Sequence, residues 1–228
     1  MTCEDLIQKL QADCLYQFKN PQLLQRALTH SSADGVENYE RLEFLGDRVV
    51  GLAIAETLFK KFPDESEGKL AKRHASLVQG EMLAVIAQKI DLGAILQLSD
   101  AEHAAGGAEN DNILADVLEA LIGAIYIDAN MAACKKTIDH LWEGLIDTMT
   151  EPPRDPKTAL QEWAQAKALP LPAYDIVGKD GPDHAPIFEI SVTVQGFAPC
   201  IAKGSSRRKA EKEAASMLLK ELEETEGS

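Results

Sequence analysis

Three carboxylates with helical spacing occur in the stretch YERLEFLGDRVVGL, which covers residues 39–52. If this stretch is an α-helix, Glu40, Glu43 and Asp47 lie within about 60° of one another around its axis. A helix selected only for packing would more often have leucine or alanine at some of these positions. The predicted opposite face is apolar and consists of Leu42, Leu45, Val49 and Leu52.

A second stretch, NILADVLEALIGAIYIDA at residues 112–129, repeats the pattern with Asp116 and Glu119 one helical turn apart. Ala120 and Gly123 extend this acidic face with very small side chains, which would let another helix approach closely. The remaining surface is broadly apolar and consists of Leu114, Val117, Leu118, Leu121 and Ile125. We therefore expect the two helices to pack together and to bring four carboxylates to one place.

Such a grouping of like charges needs a chemical reason. A solvated acidic face is the simplest interpretation of any single helical glutamate, but carboxylates three and four residues apart repel one another. Crowding them away from water is unfavourable unless a cation is present. Oxygen ligands without nearby Cys or His favour Mg²⁺ or Mn²⁺ over zinc. These ions serve phosphoryl chemistry by activating water and by stabilising the leaving oxygen.

The elements that position these residues belong to the first of two predicted domains. Residues 1–149 show apolar residues at three- and four-residue steps and are predicted to form an all-helical domain. The segment TEPPRDP, residues 150–156, contains three prolines and is predicted to be a linker. Residues 157–228 begin and end with helical patterns around three short strand-like segments, which predicts an α-β-β-β-α domain. The predicted fold class is therefore multidomain, α plus α+β.

Composition narrows the cellular setting. The longest apolar runs, VVGLAIA and ALIGAIYI, are far shorter than the roughly 20 residues needed to cross a bilayer. No signal-peptide pattern opens the sequence, and the four cysteines show neither metal-type nor disulfide-framework spacing. We therefore predict a soluble protein of the reducing cytoplasm, without a membrane partner.

Charge is distributed unevenly along the 228 residues, whose formal net charge is −14. Residues 1–152 hold 13 Lys and Arg against 25 Asp and Glu, whereas residues 153–228 hold 10 against 12. Arg207, Arg208 and Lys209 fall in the first turn of the last predicted helix, where each cation costs about 0.3 to 1 kcal/mol against the helix dipole. A helix N-terminus with added cations can bind phosphates. The alternative is a solvated lysine-rich helix.

The motif ERLEFLGD, with ALTHSS upstream and ILADVLEALIGAIYID downstream, resembles the ribonuclease III family of double-strand-specific endoribonucleases. The resemblance covers essentially the whole chain and implies an all-helical endonuclease domain that forms a homodimer. Each subunit would cut one strand of an RNA duplex and leave a 5′ phosphate and a short 3′ overhang. The metal-binding catalytic set implied by the resemblance is Glu43, Asp47, Asp116 and Glu119.

The same resemblance implies further site residues. Glu40, together with Glu67 in DESEGKLAKRHASLV, matches additional acidic positions that assist around the scissile phosphate. Phe44 matches the aromatic residue that family members insert into the partner subunit, and the alternative is an ordinary core phenylalanine. Arg48 departs from the family pattern, which more often has Ser or Ala, and could pair with Glu40, Asp47 or a neighbouring acid.

The second domain has its own resemblance. GPDHAPIFEISVTVQG and KGSSRRKAEKEAASMLL are similar to a double-stranded-RNA-binding domain that spans about residues 155–224. This implies that Gln161, Glu162 and His184 reach minor-groove edges and ribose hydroxyls. Such domains cover about 16 base pairs and recognise A-form shape more than sequence. The set implied at the start of the last helix, mainly for phosphate contacts, is Ser206, Arg207, Arg208 and Lys212.

The sequence thus predicts a metal-dependent endoribonuclease for double-stranded RNA that uses Mg²⁺, with Mn²⁺ as a substitute and without a small-molecule organic cofactor. Its expected targets are ribosomal RNA precursors and other structured transcripts, including messenger RNA. One alternative is a non-catalytic dimeric scaffold that binds double-stranded RNA, which predicts the loss of one or more acids. Another is an acidic helical dimerisation protein, which leaves both carboxylate pairs without a purpose. All six predicted acids are present, which favours the enzyme.

Overall fold

Local sequence signals set the helix starts, as in α2 (Pro21–Ala27), where Asn20 caps the helix and Pro21 occupies its first position, as predicted. The structure is a computed structural model and describes residues 2–33, 37–152, 155–181 and 186–226. The chain divides into a first unit, residues 1–153, and a second unit, residues 154–228. No described helix has both the length and the apolar character that a bilayer crossing requires.

Helices build the first unit, as predicted. Some of these helices are connected by 3₁₀ turns, at Leu92–Ile95 and Gly107–Glu109, and an isolated bridge joins Thr29 to Gln97. The α-helices are α1 (Cys3–Asp13), α2 (Pro21–Ala27), α3 (Glu40–Lys61), α4 (Glu67–Val78), α5 (Gly80–Lys89), α6 (Asp100–Ala104), α7 (Asp111–Asp128) and α8 (Met131–Leu141).

Helices α3 and α7 form the centre of this unit and make the most extensive contact between any two described elements. A Cβ atom at Gly46 of α3 would lie 1.8 Å from the carbonyl oxygen of Glu119. A Cβ atom at Gly123 of α7 would lie 2.2 Å from the carbonyl oxygen of Leu42. Neither distance is sterically allowed, so the two backbones cross where only glycine fits. The close approach predicted at Gly123 is confirmed.

The predicted apolar face of α7 is confirmed, because its five residues are at most 2% exposed. On α3, Leu42 and Val49 are buried and Leu45 is partly buried against the core. The prediction for Leu52 is wrong, since its side chain is 63% exposed. The buried face of α3 is centred near Gly46, where α7 crosses, and Leu52 lies about 120° away around the helix.

A buried arginine binds the backbone near the C-terminal end of the first unit. Arg73 of α4 is 1% exposed and donates hydrogen bonds to the Glu65 carboxylate at 2.7 and 2.8 Å. It also donates to the carbonyl oxygen of Met149 at 2.6 Å, and its guanidinium lies over the Phe62 ring. A buried charge is tolerated when it is paired and hydrogen-bonded in this way.

The second unit has the predicted α-β-β-β-α order. The three strands found among its described residues form an antiparallel sheet in the order β1-β2-β3, and Ile190 of the central strand pairs with Ile176 and Ala202. The first helix begins at Pro156, one residue before the predicted start, because Asp155 caps it and proline is tolerated at the first position. The elements are α9 (Pro156–Ala166), β1 (Ala173–Asp180), β2 (Ile187–Thr193), β3 (Cys200–Gly204) and α10 (Arg207–Glu226).

Candidate metal centre and nucleic-acid interface

The carboxylate cluster consists of Glu43 of α3 with Asp116 and Glu119 of α7. One carboxylate oxygen from each residue lies within 4.8 Å of the other two, and all three side chains are partly buried. The close crossing at Gly46 and Gly123 brings the acidic faces of the two helices together. Three of the four predicted metal ligands therefore meet in one chain.

Burial raises the pKa of every member of the carboxylate cluster. The effect is largest at Glu119, whose pKa rises from 4.5 to about 8 through burial and then through the charges of Asp47, Asp116 and Glu43. Burial makes the largest contribution to the raised pKa of Glu43, and the charges of Asp116, Glu40 and Asp47 raise this pKa further. Without a cation, full ionisation of the carboxylate cluster is therefore unfavourable.

Tyr39 supports the carboxylate cluster and was missed by the sequence analysis. Its hydroxyl group donates a hydrogen bond to Asp116 Oδ2 at 3.4 Å, and its side chain is 4% exposed. Burial raises the pKa of Tyr39, and nearby carboxylates raise it further, so the phenol keeps its proton and remains a donor. Such partners orient a ligand without contacting the ion themselves. Its position directly before Glu40, at the start of the acidic stretch, was the sequence feature that could have indicated this role.

Asp47 and Glu40 lie at the edge of this arrangement. The Asp47 carboxylate forms an ion pair with Arg48, with 2.5 Å between Oδ2 and Nη1, which identifies the partner of Arg48 that the sequence left open. Asp47 is outside the 4.8 Å group found among the described residues, although its charge raises the pKa of Glu119. Glu40 is exposed and accepts a hydrogen bond from Asn38 Nδ2 at 3.2 Å.

Two further predicted residues are exposed. Glu67 lies in the first turn of α4 and is not a member of the carboxylate group identified within the described residues. Phe44 of α3 is 65% exposed, which excludes its interpretation as an ordinary core residue of this chain. Phe44 borders an open cavity of about 540 Å³ whose other lining residues are Arg26, Glu40, Arg41, Leu42, Leu45 and Ile127.

The basic start of α10 is held by ion pairs within the second unit. Glu211 is 8% exposed and accepts hydrogen bonds from Arg207 Nε at 2.8 Å and from Lys157 Nζ at 2.5 Å. Lys212 Nζ lies 3.7 Å from Asp155 Oδ2. Because Arg207 and Lys212 both have acidic partners, their side chains are oriented before any phosphate binds.

The other predicted RNA-binding residues differ in their settings. Arg208 is exposed in the first turn of α10, and Ser206 Oγ accepts a hydrogen bond from the Lys209 backbone N–H at 3.2 Å. Gln161 and Glu162 are exposed on α9, as a contact surface requires. The predicted His184 lies outside the described residues.

The carboxylate cluster fits a hard divalent cation on its donor chemistry alone. Its donors are all carboxylate oxygens, and no Cys or His belongs to the group found within the described ranges. Burial, and then the charges of neighbouring carboxylates, raise the pKa values of Glu43 and Glu119, and a divalent ion would stabilise their ionised forms. Oxygen-only sites of this kind suit Mg²⁺, Mn²⁺ or Ca²⁺.

Each of the two units matches a known protein family. The family described as "Ribonuclease-III-like" matches residues 20–144, and the family described as "Double-stranded RNA binding motif" matches residues 156–222. Solved structures of the nuclease domain of ribonuclease III from Campylobacter jejuni are 44% identical and cover 60% of this chain. Their TM-scores are 0.58 and 0.59, with 93% and 96% of those chains covered.

Curated relatives match over nearly the full length. "Ribonuclease 3" of Ehrlichia ruminantium (strain Welgevonden) is 48% identical over 211 residues, which is 91% of this chain and 93% of the relative. "Ribonuclease 3" of Caulobacter vibrioides (strain NA1000 / CB15N) is 49% identical over 209 residues, or 90% of each chain. The chain therefore belongs to the ribonuclease III family and is a double-strand-specific endoribonuclease with a C-terminal double-stranded-RNA-binding domain.

Proposed function

We propose that this endoribonuclease cuts RNA with Mg²⁺, or with Mn²⁺ as a substitute, held by Glu43, Asp116 and Glu119 with Asp47 as a further ligand. The observation that carries the proposal is the meeting of three carboxylates from two helices within 4.8 Å. Such a grouping is unfavourable in itself, as the pKa of about 8 at Glu119 indicates. Bound Mg²⁺ would supply activation of the attacking water and stabilisation of charge on the phosphate oxygens.

The residues of the chain itself have distinct proposed roles. Glu119 must give up its proton before it can serve as an anionic ligand, so the site is filled more readily as the pH rises. Tyr39 holds Asp116 through its hydroxyl group and keeps that carboxylate oriented towards the cluster. Glu40 and Glu67 assist around the scissile phosphate. No small-molecule organic cofactor is part of this proposal.

The active form is proposed to be a homodimer in which each subunit cuts one strand. Phe44 would insert into the partner subunit, and this proposal is supported by the 65% exposure of its side chain on α3. One of the Campylobacter jejuni structures concerns flexibility in a region involved in dimer formation of that nuclease domain. Two sites acting on opposite strands would leave 5′ phosphates and short 3′ overhangs.

The second unit is proposed to supply most of the RNA affinity. Gln161, Glu162 and His184 would contact minor grooves of an A-form duplex over about 16 base pairs. The helix start is proposed to contact the backbone, mainly its phosphates, through Ser206, Arg207, Arg208 and Lys212. The proposed domain bounds are 1–149 for the endonuclease domain, 150–156 for the linker and 157–228 for the RNA-binding domain.

The proposed cellular role is processing of ribosomal RNA precursors and of other structured transcripts, including messenger RNA, in the cytoplasm. A non-catalytic dimeric scaffold that binds double-stranded RNA is the alternative. It is not favoured, because all six predicted acids are present and the curated relatives carry the name of the enzyme.

An end-labelled RNA duplex incubated with and without Mg²⁺ tests the proposal. We expect cleavage that requires the ion, with single-stranded RNA and a DNA duplex left intact. Glu119→Gln should abolish cleavage and retain duplex binding, whereas Glu56→Gln, on the same protein but in an exposed ion pair with Lys60, should cleave normally. Unaltered turnover by Glu119→Gln would remove that residue from the proposed catalytic set.

A further inference from the structure

Arg48 connects Asp47, at the edge of the carboxylate cluster, with the exposed aromatic side chain of Phe44 on α3. Its Nη1 atom lies 2.5 Å from Asp47 Oδ2 and donates to the carbonyl oxygen of Phe44 at 3.3 Å. Its guanidinium carbon lies 4.3 Å from the centre of the Phe44 ring. Three contacts from one helical turn therefore fix an arginine that a surface position alone would leave free to move.

The ion pair with Arg48 accompanies the separation of Asp47 from the other predicted ligands. Asp47 follows Glu43 by one helical turn and so projects from the same side of α3. Among the described residues, however, the carboxylate oxygens within 4.8 Å of one another come from Glu43, Asp116 and Glu119 and not from Asp47. The Asp47 side chain is 48% exposed, which leaves room for it to change rotamer.

Arg48 also acts on the carboxylate cluster through its charge. Its positive charge opposes the upward pKa shifts of Glu43 and Glu119, so it lies close enough to offset part of their repulsion. A divalent ion in the carboxylate cluster would have the same sign of charge and would be repelled by the guanidinium. Arg48 and the ion therefore compete for the same carboxylates.

We propose that Arg48 is a positioning residue, a built-in counter-cation that holds Asp47 apart from the carboxylate cluster until a divalent ion displaces it. This inference rests on the proposed metal site. Arg48 would make metal binding weaker and more dependent on the ion concentration than the acids alone would. The ring that supports the guanidinium is Phe44, so a partner subunit that covers this ring would loosen Arg48 and favour metal binding.

Calorimetric titration of the full chain with MgCl₂, in the absence of RNA, tests the proposal. Arg48→Gln keeps a side chain of similar reach and removes the charge. We expect its Mg²⁺ dissociation constant to fall about 3- to 10-fold relative to the unaltered protein, as suits the loss of one partly exposed like charge. Its melting temperature in chelator should fall, because the acids then lose their resident counter-charge.

Two further variants separate charge from position. Arg48→Lys retains the charge and should bind Mg²⁺ with nearly the affinity of the unaltered protein. Lys60→Gln removes the same charge from the same helix at a residue that pairs with Glu56, and should leave Mg²⁺ affinity unchanged.

The outcomes distinguish this inference from the proposed function. An unchanged or weaker Mg²⁺ affinity in Arg48→Gln, beside normal binding by the unaltered protein, would overturn the inference and leave the metal site standing. Equal tightening in Arg48→Gln and Lys60→Gln would also overturn it, because a general charge effect would then suffice. Failure of the unaltered protein to bind Mg²⁺ would refute both.

Discussion

Glu119→Gln should make the metal-free protein more stable while it removes activity. The Glu119 carboxyl group is held near Asp47, Asp116 and Glu43 in a partly buried position, and its pKa rises from 4.5 to about 8. Glutamine has nearly the same shape and cannot ionise. The substitution therefore removes a charge that burial, and then the neighbouring carboxylates, make unfavourable in the folded protein, and it leaves no cavity.

The size of the effect follows from the pKa difference. The span from 4.5 to about 8, at about 1.4 kcal/mol for each pKa unit, sets an upper limit of roughly 5 kcal/mol. Because the side chain is only partly buried and water screens its charge, we expect about 2 kcal/mol of this at pH 8. For a unit of this size, that corresponds to a rise in melting temperature of roughly 4 to 8 °C.

The gain should depend on pH in one direction. The pKa of Glu119 is higher in the folded state than in the unfolded state, so its contribution to stability is fully present below about pH 4.5 and is lost as the pH rises towards 8. The unaltered protein should therefore lose stability across this range relative to Glu119→Gln. Near pH 4.5 the two proteins should unfold at nearly the same temperature.

Thermal unfolding followed by calorimetry in chelator, from pH 4.5 to 8, measures the difference. Addition of Mg²⁺ should raise the melting temperature of the unaltered protein much more than that of Glu119→Gln, because only the former retains the full ligand set. Glu56→Gln is the matched control and should not gain stability, because it breaks an ion pair with Lys60. A Glu119→Gln protein that is no more stable than the unaltered one at pH 8 would refute the reasoning that burial and nearby charges make the Glu119 carboxylate unfavourable.

Three further variants address the helix crossing, the dimer and the RNA contact. Gly46→Ala should destabilise the first unit by about 3 kcal/mol or more in calorimetry, because its Cβ atom would lie 1.8 Å from a backbone oxygen. Gly51→Ala is the control and should be tolerated, because its Cβ atom would lie 3.8 Å from its nearest neighbour. Phe44→Ala should weaken dimerisation by roughly 30-fold or more in analytical ultracentrifugation. Phe59, another exposed phenylalanine of α3, is 72% exposed and serves as the control, and a Phe44→Ala protein that remains as dimeric as Phe59→Ala would count against Phe44. Arg208→Ala should reduce the salt dependence of duplex binding by about one ion, and an unchanged salt slope would exclude a phosphate contact.

The meeting of α3 and α7 could be predicted because both signals are local. The helical spacing of Asp116 and Glu119 defines one face, and a glycine on the same face leaves a single place where another backbone can approach. The structure agrees, because α3 approaches Gly123 so closely that a Cβ atom there would overlap the carbonyl oxygen of Leu42. The pattern of small and charged residues along a helix is therefore sufficient to predict which face packs against another helix, when the close approach of the two backbones decides that packing.

Side-chain pairing could not be predicted in the same way. Arg48 had several acids within reach, and only the three-dimensional position of the Phe44 ring and carbonyl group favours Asp47. Similarly, Glu211 accepts a hydrogen bond from Lys157 of α9, which is 54 positions away in the sequence, and no local spacing identifies that partner. Such choices are made among alternatives of similar energy, which a spacing rule does not rank.

The exposure of Leu52 failed to follow the pattern for a related reason. Periodicity alone identifies an apolar face but not the angular position of the neighbouring helix. Because only the side of α3 at Gly46 lets the α7 backbone come this close, α7 packs on that side and Leu52 lies away from the buried face. In α3 the close crossing at Gly46, and not the spacing of the leucines, determines the buried side.

The most direct measurement is anomalous X-ray diffraction from crystals of the protein soaked in Mn²⁺. We predict a strong anomalous peak bounded by carboxylate oxygens of Glu43, Asp116 and Glu119, with Asp47 turned away from Arg48 to join them. Occupied Mn²⁺ sites elsewhere, with no peak between these three carboxylates at saturating ion, would contradict the assignment of the metal centre.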